Sequence, residues 1–242
     1  MRKTSFINCI INELTDKKKK CALFPLQNGR IKAVQSIITL ESYVKHQKII
    51  TALITSKEVA RINDAGGRIV QKEIDDILTI SSRTSFTITE IQKEIKDLHE
   101  KKNVKYFFID SLNMIIPDKN YTNYWEMIND FCIILKRLCV ELDIAISITA
   151  DSLRSNTDTM PYTGRSKEAY SVSPVGIAQN ADVIICISNN TGEYEESEEK
   201  IITVEKNNFN MPGKCILLFI PSIKKFIVPE DEIMAEIKNE LL

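Results

Sequence analysis

The sequence predicts an α/β fold: a mainly parallel central sheet with helices on both faces and antiparallel strands towards the C-terminal end. Three observations predict it. Lys105-Tyr106-Phe107-Phe108-Ile109-Asp110-Ser111-Leu112 is an apolar run closed by one carboxylate. It is too apolar for an edge strand and suits the buried centre of a parallel sheet. Strand-like and helix-like segments alternate along the chain without an internal repeat, the pattern of helices laid against a sheet. An amphipathic helix runs directly into the Asp110 strand.

In chain order, strands are expected at Lys20–Leu26, Asp76–Ile80, Val104–Ile109, Ile144–Ala150, Val183–Ser188, Ile201–Glu205, Cys215–Pro221 and Lys225–Val228. The closing strands are separated by turn-rich segments around Asn189–Glu199 and Asn207–Lys214, short enough for antiparallel pairing. Thr87-Ile88-Thr89-Glu90 has the T-x-x-E form of a capping box, and Ile88, Ile91, Ile95 and Leu98 follow it at helical spacing. A longer helix, from about Tyr121 to Leu142, is expected to bury Trp125, Ile128, Phe131, Cys132, Leu135, Leu138, Cys139 and Leu142 on one face as core. The run Lys17–Lys20 reads as a solvated helix end favoured by the helix dipole. Between Asp151 and Ser173 lies a polar, aperiodic stretch. A loop of this length in a compact domain is either functional or a mobile insertion.

The 242 residues are read as one domain, 1–242, long enough to bury a large core. Charged residues make up 27% and hydrophobic residues 43%, which excludes general disorder. The formal net charge of -1 supplies no global basic field, so a DNA role has to rest on local patches or on a ring of several subunits. The six cysteines show no C-x-x-C spacing and lie mostly in apolar stretches, as reduced core residues of a cytoplasmic protein do. No signal peptide and no membrane span is read in the sequence. With only His46 and His99, histidine-based catalysis has little to work with.

A carboxylate at the C-terminal end of a buried parallel strand sits where open α/β sheets bind ligands, and nucleoside triphosphatases direct magnesium from that position. A solvated Asp that only closes a strand is the alternative for Asp110. Glycine is scarce, 7 residues with none before Gly29, although a phosphate-cradling loop depends on glycines to let backbone N–H groups reach the anion.

Taken in order, the segments resemble the C-terminal RecA-like motor domain of DnaB-type replicative helicases, a P-loop NTPase fold. Met1-Arg2-Lys3-Thr4-Ser5-Phe6 resembles the tail of the family's phosphate loop, G-x-x-x-x-G-K-T followed by Ala or Ser and Phe. Cys21-Ala22-Leu23-Phe24-Pro25-Leu26-Gln27-Asn28 is similar to the strand that ends Ser-Leu-Glu-Met. Leu78–Leu98 resembles the segment leading into a T-x-x-E-I helix, and Phe107–Asp110 the magnesium strand. Leu135-Lys136-Arg137-Leu138 through Leu142 is similar to L-K-x-L-A-x-E-L, and Ile177-Ala178-Gln179-Asn180-Ala181-Asp182-Val183 to I-E-Q-D-A-D-V. Val204-Glu205-Lys206-Asn207-Asn208 resembles the A-K-x-R strand that reaches a neighbouring subunit's nucleotide, and Pro212-Gly213-Lys214 the turn after it.

The resemblance implies ATP and Mg²⁺ as cofactors, single-stranded DNA as partner and a hexameric ring of identical subunits. It places Lys3 at the phosphates, Thr4 and Asp110 at the metal, Gln27 at the water-polarising position, Asp151 at a phosphate-sensing position, and Lys206 and Asn208 at the trans site. Arg154, Arg165 and Lys167 are the expected phosphate contacts of the 151–173 loop to DNA. Departures from the pattern imply a degenerate motor. Arg2 replaces the glycine before the lysine, Gln27 replaces a glutamate, Asp151 a glutamine, and Asn208 an arginine finger. As written, the chain is expected to lack most of the phosphate loop and any N-terminal helicase domain, to bind ATP weakly, to hydrolyse it poorly, and to be a monomer or small oligomer. Two alternatives stay open: a non-catalytic subunit that binds DNA or helicase-like partners, and a RecA- or KaiC-like regulatory ATPase.

Overall fold

The computed structural model describes residues 2–150, 175–189 and 199–229. Four short strands, β1 (Cys21–Phe24), β2 (Leu78–Ile80), β3 (Tyr106–Ile109) and β4 (Ala145–Ile148), form an all-parallel sheet in the order β2-β1-β3-β4. The central pair holds Cys21 opposite Tyr106 and Phe24 opposite Ile109. The central strands are buried on both faces, and successive side chains point to opposite sides of the sheet. Ala22, Phe24, Phe107 and Ile109 face one core, whereas Cys21, Leu23 and Phe108 face the other.

Helices cover both faces, as the sequence predicts. Helices α1 (Lys3–Asp16), α2 (Gly29–Ser42), α3 (His46–Thr51) and α4 (Ser56–Ile74) precede β2. Ile7, Ile11, Ile37 and Ile69 from α1, α2 and α4 close the core around Leu23 and Phe108. Helices α5 (Ile88–Lys102) and α6 (Tyr124–Leu142) close the opposite core with Ile91, Ile95, Phe131 and Leu135. Lys72 is only 9% exposed and is held by Glu41 at 3.0 Å, Asp16 at 2.8 Å and Asn12 at 3.1 Å, so one buried ammonium ties α4 to α1 and α2. Lys17, Lys18 and Lys19 are exposed beyond the end of α1.

The capping box read at Thr87 is formed. The Thr87 hydroxyl accepts from the Glu90 N–H at 3.2 Å, and the Glu90 carboxylate accepts from the Thr87 N–H at 2.8 Å. That backbone hydrogen bond and the Arg83 guanidinium hold the Glu90 carboxyl below its ordinary range. Thr87→Ala is expected to destabilise the protein by about 1 kcal/mol in urea unfolding, because one N-terminal donor of α5 loses its acceptor.

Helix α6 differs from its expected form. It begins at Tyr124, and Trp125 is 44% exposed, stacked edge-on against Tyr124, where burial in the core was expected. Within the helix, packing against the core starts at Met127 and Ile128, two and three residues further along.

A short helix α7 (Val175–Asn180) lies against α6. Gly176 permits this, since a Cβ there would fall 2.7 Å from the Asn129 backbone. The remaining strands, β5 (Val183–Asn189), β6 (Glu199–Asn207), β7 (Gly213–Ile220) and β8 (Lys225–Ile227), pair antiparallel in sequence order as a second sheet. That sheet reaches α1 through a small core of its own, Ile202, Phe219 and Phe226 packed on Phe6 and Cys9. Phe6 and Phe226 meet edge-to-face at 5.4 Å. All six cysteines are free, with Cys21 and Cys132 buried and Cys215 exposed. Among the described residues no helix is long and apolar enough to cross a membrane.

Candidate functional site

The site is assembled at the C-terminal ends of the parallel strands. β1 stops at Pro25, and the turn that follows reverses into α2 through Gly29, whose φ of +75° favours a residue without a Cβ. The Gly29 N–H closes this turn on the Pro25 carbonyl at 2.7 Å. The turn carries Gln27, which is exposed and whose N–H donates to the Asp110 carbonyl at 2.9 Å. The Asp110 N–H in turn donates to the Phe24 carbonyl at 3.0 Å, so the ladder between β1 and β3 extends one residue into the site. The Asp110–Ser111 peptide bond is cis.

Asp110 is 2% exposed and is the focus of the site. Thr4, in the first turn of α1, donates its hydroxyl to Asp110 Oδ2 at 2.8 Å. Thr149, just past β4, donates to Asp110 Oδ1 at 2.6 Å. Lys3 and Thr4 at the start of α1, Gln27 in the turn after β1 and Asp110 directly after β3 therefore stand at the C-terminal edge of the sheet. Thr149 is a residue of the candidate site that the sequence reading missed. Its only signal is its position directly after a strand neighbouring β3.

The donor set fits magnesium. Mg²⁺ takes hard oxygen ligands, usually one or two from protein, and completes its shell with water and phosphate oxygens. Thr4 Oγ1 and Asp110 Oδ2 are two such oxygens within hydrogen-bonding distance of each other. Among the described residues no group of three or more His, Cys, Asp or Glu side chains forms a metal site without outside ligands. The start of α1 fits a phosphate. It has no side-chain cap and no acidic residue in its first turn, so its positive end is left for an anion. Arg2, at the position where a glycine was expected, lays its guanidinium over the Phe219 ring at 4.6 Å.

Lys206 and Asn208 occupy the second sheet. Lys206 Nζ donates to the Ala178 carbonyl at 2.9 Å and so caps the last turn of α7. Asn208 Nδ2 donates to Asp182 Oδ1 at 3.2 Å, and Lys136 donates to Asp182 Oδ2 at 2.5 Å. Lys136, and then Asn208, hold the Asp182 carboxyl below the usual carboxylate range. Asp151, Arg154, Arg165 and Lys167 lie outside the described residues.

A parallel sheet ordered β2-β1-β3-β4, with a threonine from the first helix bonded to the carboxylate that ends the central strand, is the arrangement of a RecA-like ATPase domain. Comparison with solved structures agrees on the fold. A DnaB-like replicative helicase solved for its interactions with primase superposes with a TM-score of 0.80 over 95% of this chain and 55% of that chain, at 20% identity. A solved ATPase domain gives a TM-score of 0.78 over 94% of this chain and 80% of that chain, at 19% identity.

The family profile of the DnaB-like helicase C-terminal domain matches residues 1–228, and the chain belongs to that family. It is 24% identical over 168 residues to the replicative DNA helicase DnaB of Mycobacterium leprae, covering 68% of this chain and 26% of that protein. The DnaB of Mycoplasma pneumoniae is 24% identical over 243 residues, covering 93% of this chain and 49% of that protein. The chain thus spans between a quarter and a half of the length of these relatives.

Proposed function

We propose that residues 1–242 form one RecA-like motor domain of a cytoplasmic DnaB-type helicase, acting with ATP and Mg²⁺ on DNA during replication, and that its own ATP turnover is low. The observation that carries this reading is the Thr4–Asp110 contact at the end of the central strand, in a chain that belongs to the DnaB-like family. Bound magnesium would neutralise charge on the β- and γ-phosphates. Thr4 and Asp110 would hold that ion, and Thr149 would keep the Asp110 carboxylate turned towards it. Lys3 and the start of α1 would take the phosphates.

Low turnover follows from three positions. Gln27 can orient a water but, as a neutral amide, cannot take its proton or lend it negative charge. Asp151 in place of a phosphate-sensing glutamine would set an anion against the γ-phosphate, where like charges repel. Asn208 cannot supply the charge that an arginine would bring to a neighbour's transferring phosphoryl group. Lys206 remains as a partial substitute in such a ring of identical subunits. In the absence of nucleotide, sedimentation is expected to show monomer or small oligomers, since the ring interface would be formed around bound nucleotide.

A non-catalytic role as a DNA- or helicase-binding subunit is the second reading. It is favoured by Asn208 being hydrogen-bonded to Asp182 within its own chain. The first reading and the DNA-binding form of the second use single-stranded DNA, and the 151–173 segment with Arg154, Arg165 and Lys167 is its proposed contact. Replacing all three by Ala is expected to lower the slope of log affinity against log salt by about 2, at roughly 0.7 per lost phosphate contact. Fluorescence titration of labelled single-stranded DNA at several salt concentrations measures it. An unchanged slope removes the loop from the interface. Turnover well above background by the unsubstituted protein, lost in Asp110→Ala, overturns the low-activity reading.

A further inference from the structure

Beside the Thr4–Asp110 contact lies a cavity of about 390 Å³ between α1, α2 and the turn that joins β7 to β8. Its far end is built from residues that the nucleotide reading does not use. Asn8 stands one helical turn after Thr4, about 6 Å along the axis. It is 2% exposed and lines the cavity, yet neither its Oδ1 nor its Nδ2 has a hydrogen-bond partner. Burying an amide with both ends unsatisfied is costly, and native interiors avoid it unless a polar group from outside completes the pairing.

Two further donors face the same space. Lys224, in the β7–β8 turn, places Nζ 3.1 Å from Ser36 Oγ on α2 and 2.7 Å from His46 Nε2. The protonation of this group follows from its neighbours. Thr39 commits its hydroxyl proton to the Gln35 carbonyl at 2.7 Å, so at 3.0 Å it accepts from His46 Nδ1–H. His46 Nε2 is then a lone pair, and it receives a proton from the Lys224 ammonium. Burial lowers the pKa of His46, consistent with a neutral ring, and His46 acts as a positioning residue that fixes the ammonium at the cavity wall. Neither of these two partners is an anion, so the positive charge of Lys224 meets no carboxylate through them. Burial, and then Arg2, lower the pKa of Lys224, which is the expected cost of a cation held there without a counter-charge.

We propose that this cavity is a phosphate pocket, distinct from the start of α1, in which Lys224, Ser36 and Asn8 donate to one phosphate oxyanion. The three donors come from three elements, α1, α2 and the β7–β8 turn, that wall the one cavity. A tetrahedral oxyanion presents acceptors outside a single plane, whereas a planar carboxylate does not. Asp110 also lines the cavity and repels a bare anion, which favours a phosphate held beside Lys224. The inference goes beyond the helicase reading and does not need ATP turnover. The phosphate group is either free phosphate or part of a nucleotide.

The test is nuclear magnetic resonance of the isotope-labelled full chain, with the Asn8 side-chain amide as reporter. Inorganic phosphate is titrated without magnesium, and ATP with magnesium is titrated separately. Saturable movement of the Asn8 signals at millimolar phosphate is expected, weakened tenfold or more by Lys224→Met and retained in Lys3→Met. A pocket for a nucleotide's phosphate saturates at lower ATP than phosphate concentration, and a pocket for free phosphate shows the reverse order. Asn8→Leu serves as the second variant. It is expected to raise the urea midpoint, because it removes the unsatisfied amide, while phosphate-dependent shifts of the Ser36 backbone signal are lost. Absence of any response to both probes overturns the proposal. So does a response that survives Lys224→Met and disappears in Lys3→Met, since the anion would then sit only at the start of α1.

Discussion

Gln27→Glu and Asn208→Arg, introduced together, are expected to raise magnesium-dependent ATP turnover on the order of 10³-fold or more, measured as phosphate released in the presence of single-stranded DNA. The two positions act on different parts of the barrier. A carboxylate at 27 would face the attacking water from the turn after β1, beside the Asp110 carbonyl that holds the turn in place. General-base assistance of this kind contributes about 10²–10⁴-fold. An arginine finger supplied by a neighbouring subunit contributes about 10³–10⁵ in related phosphoryl-transfer systems. At 208, however, an arginine would have a competing anion in its own chain. Asp182 already accepts from Asn208 and Lys136, and a guanidinium could pair with it bidentately. Adding Asp182→Asn should therefore release the arginine and raise turnover again. A double variant no faster than the unsubstituted protein would place the limitation at neither residue.

The parallel sheet is legible in the sequence because its centre is apolar on both faces. Phe107, Phe108 and Ile109 leave no room for a solvent-facing strand, and the structure buries all three between the two helical layers. Asp110 is legible for the same reason, as the first charge after such a run. The region between β1 and β2 is less so. Thr55-Ser56-Lys57-Glu58 is a second T-x-x-E pattern and forms a complete capping box at the start of α4. Lys48, with the Thr55 backbone N–H, holds Glu58 down to about 2. That carboxylate contributes stability above its unfolded range near 4.5, and the contribution is lost as pH falls towards 2.

What one-dimensional pattern does not carry is which chain segments meet in space. Thr149 is a polar residue after a strand like many others, and only the β3–β4 pairing brings its hydroxyl to Asp110. Trp125 has helical spacing with the core positions but falls in a first turn that precedes the packed part of α6. Lys206 and Asn208 reach α7 and Asp182 within the chain, contacts that arise from the β5–β6 register and have no local sequence signal.

Asp110→Ala and Asp110→Asn are expected to separate the structural role of this carboxylate from the metal-directing role proposed for it. Alanine leaves the buried hydroxyl of Thr149 and the half-buried hydroxyl of Thr4 without their shared acceptor. A buried group that loses its partner costs about 1–3 kcal/mol and a half-buried one less, so a loss of about 2 kcal/mol is expected in urea unfolding. Asparagine preserves the network at little cost. Its oxygen accepts from one threonine, and the other hydroxyl rotates to accept from its amide, since a hydroxyl both donates and accepts. Both variants lose the charge that a divalent cation requires. Manganese(II), a paramagnetic stand-in for magnesium, should broaden the resonance signals of Thr4, Asp110 and Thr149 in the unsubstituted protein and leave them sharp in Asp110→Asn. An asparagine variant that is stable and still shows that broadening would reduce Asp110 to the closing residue of its strand.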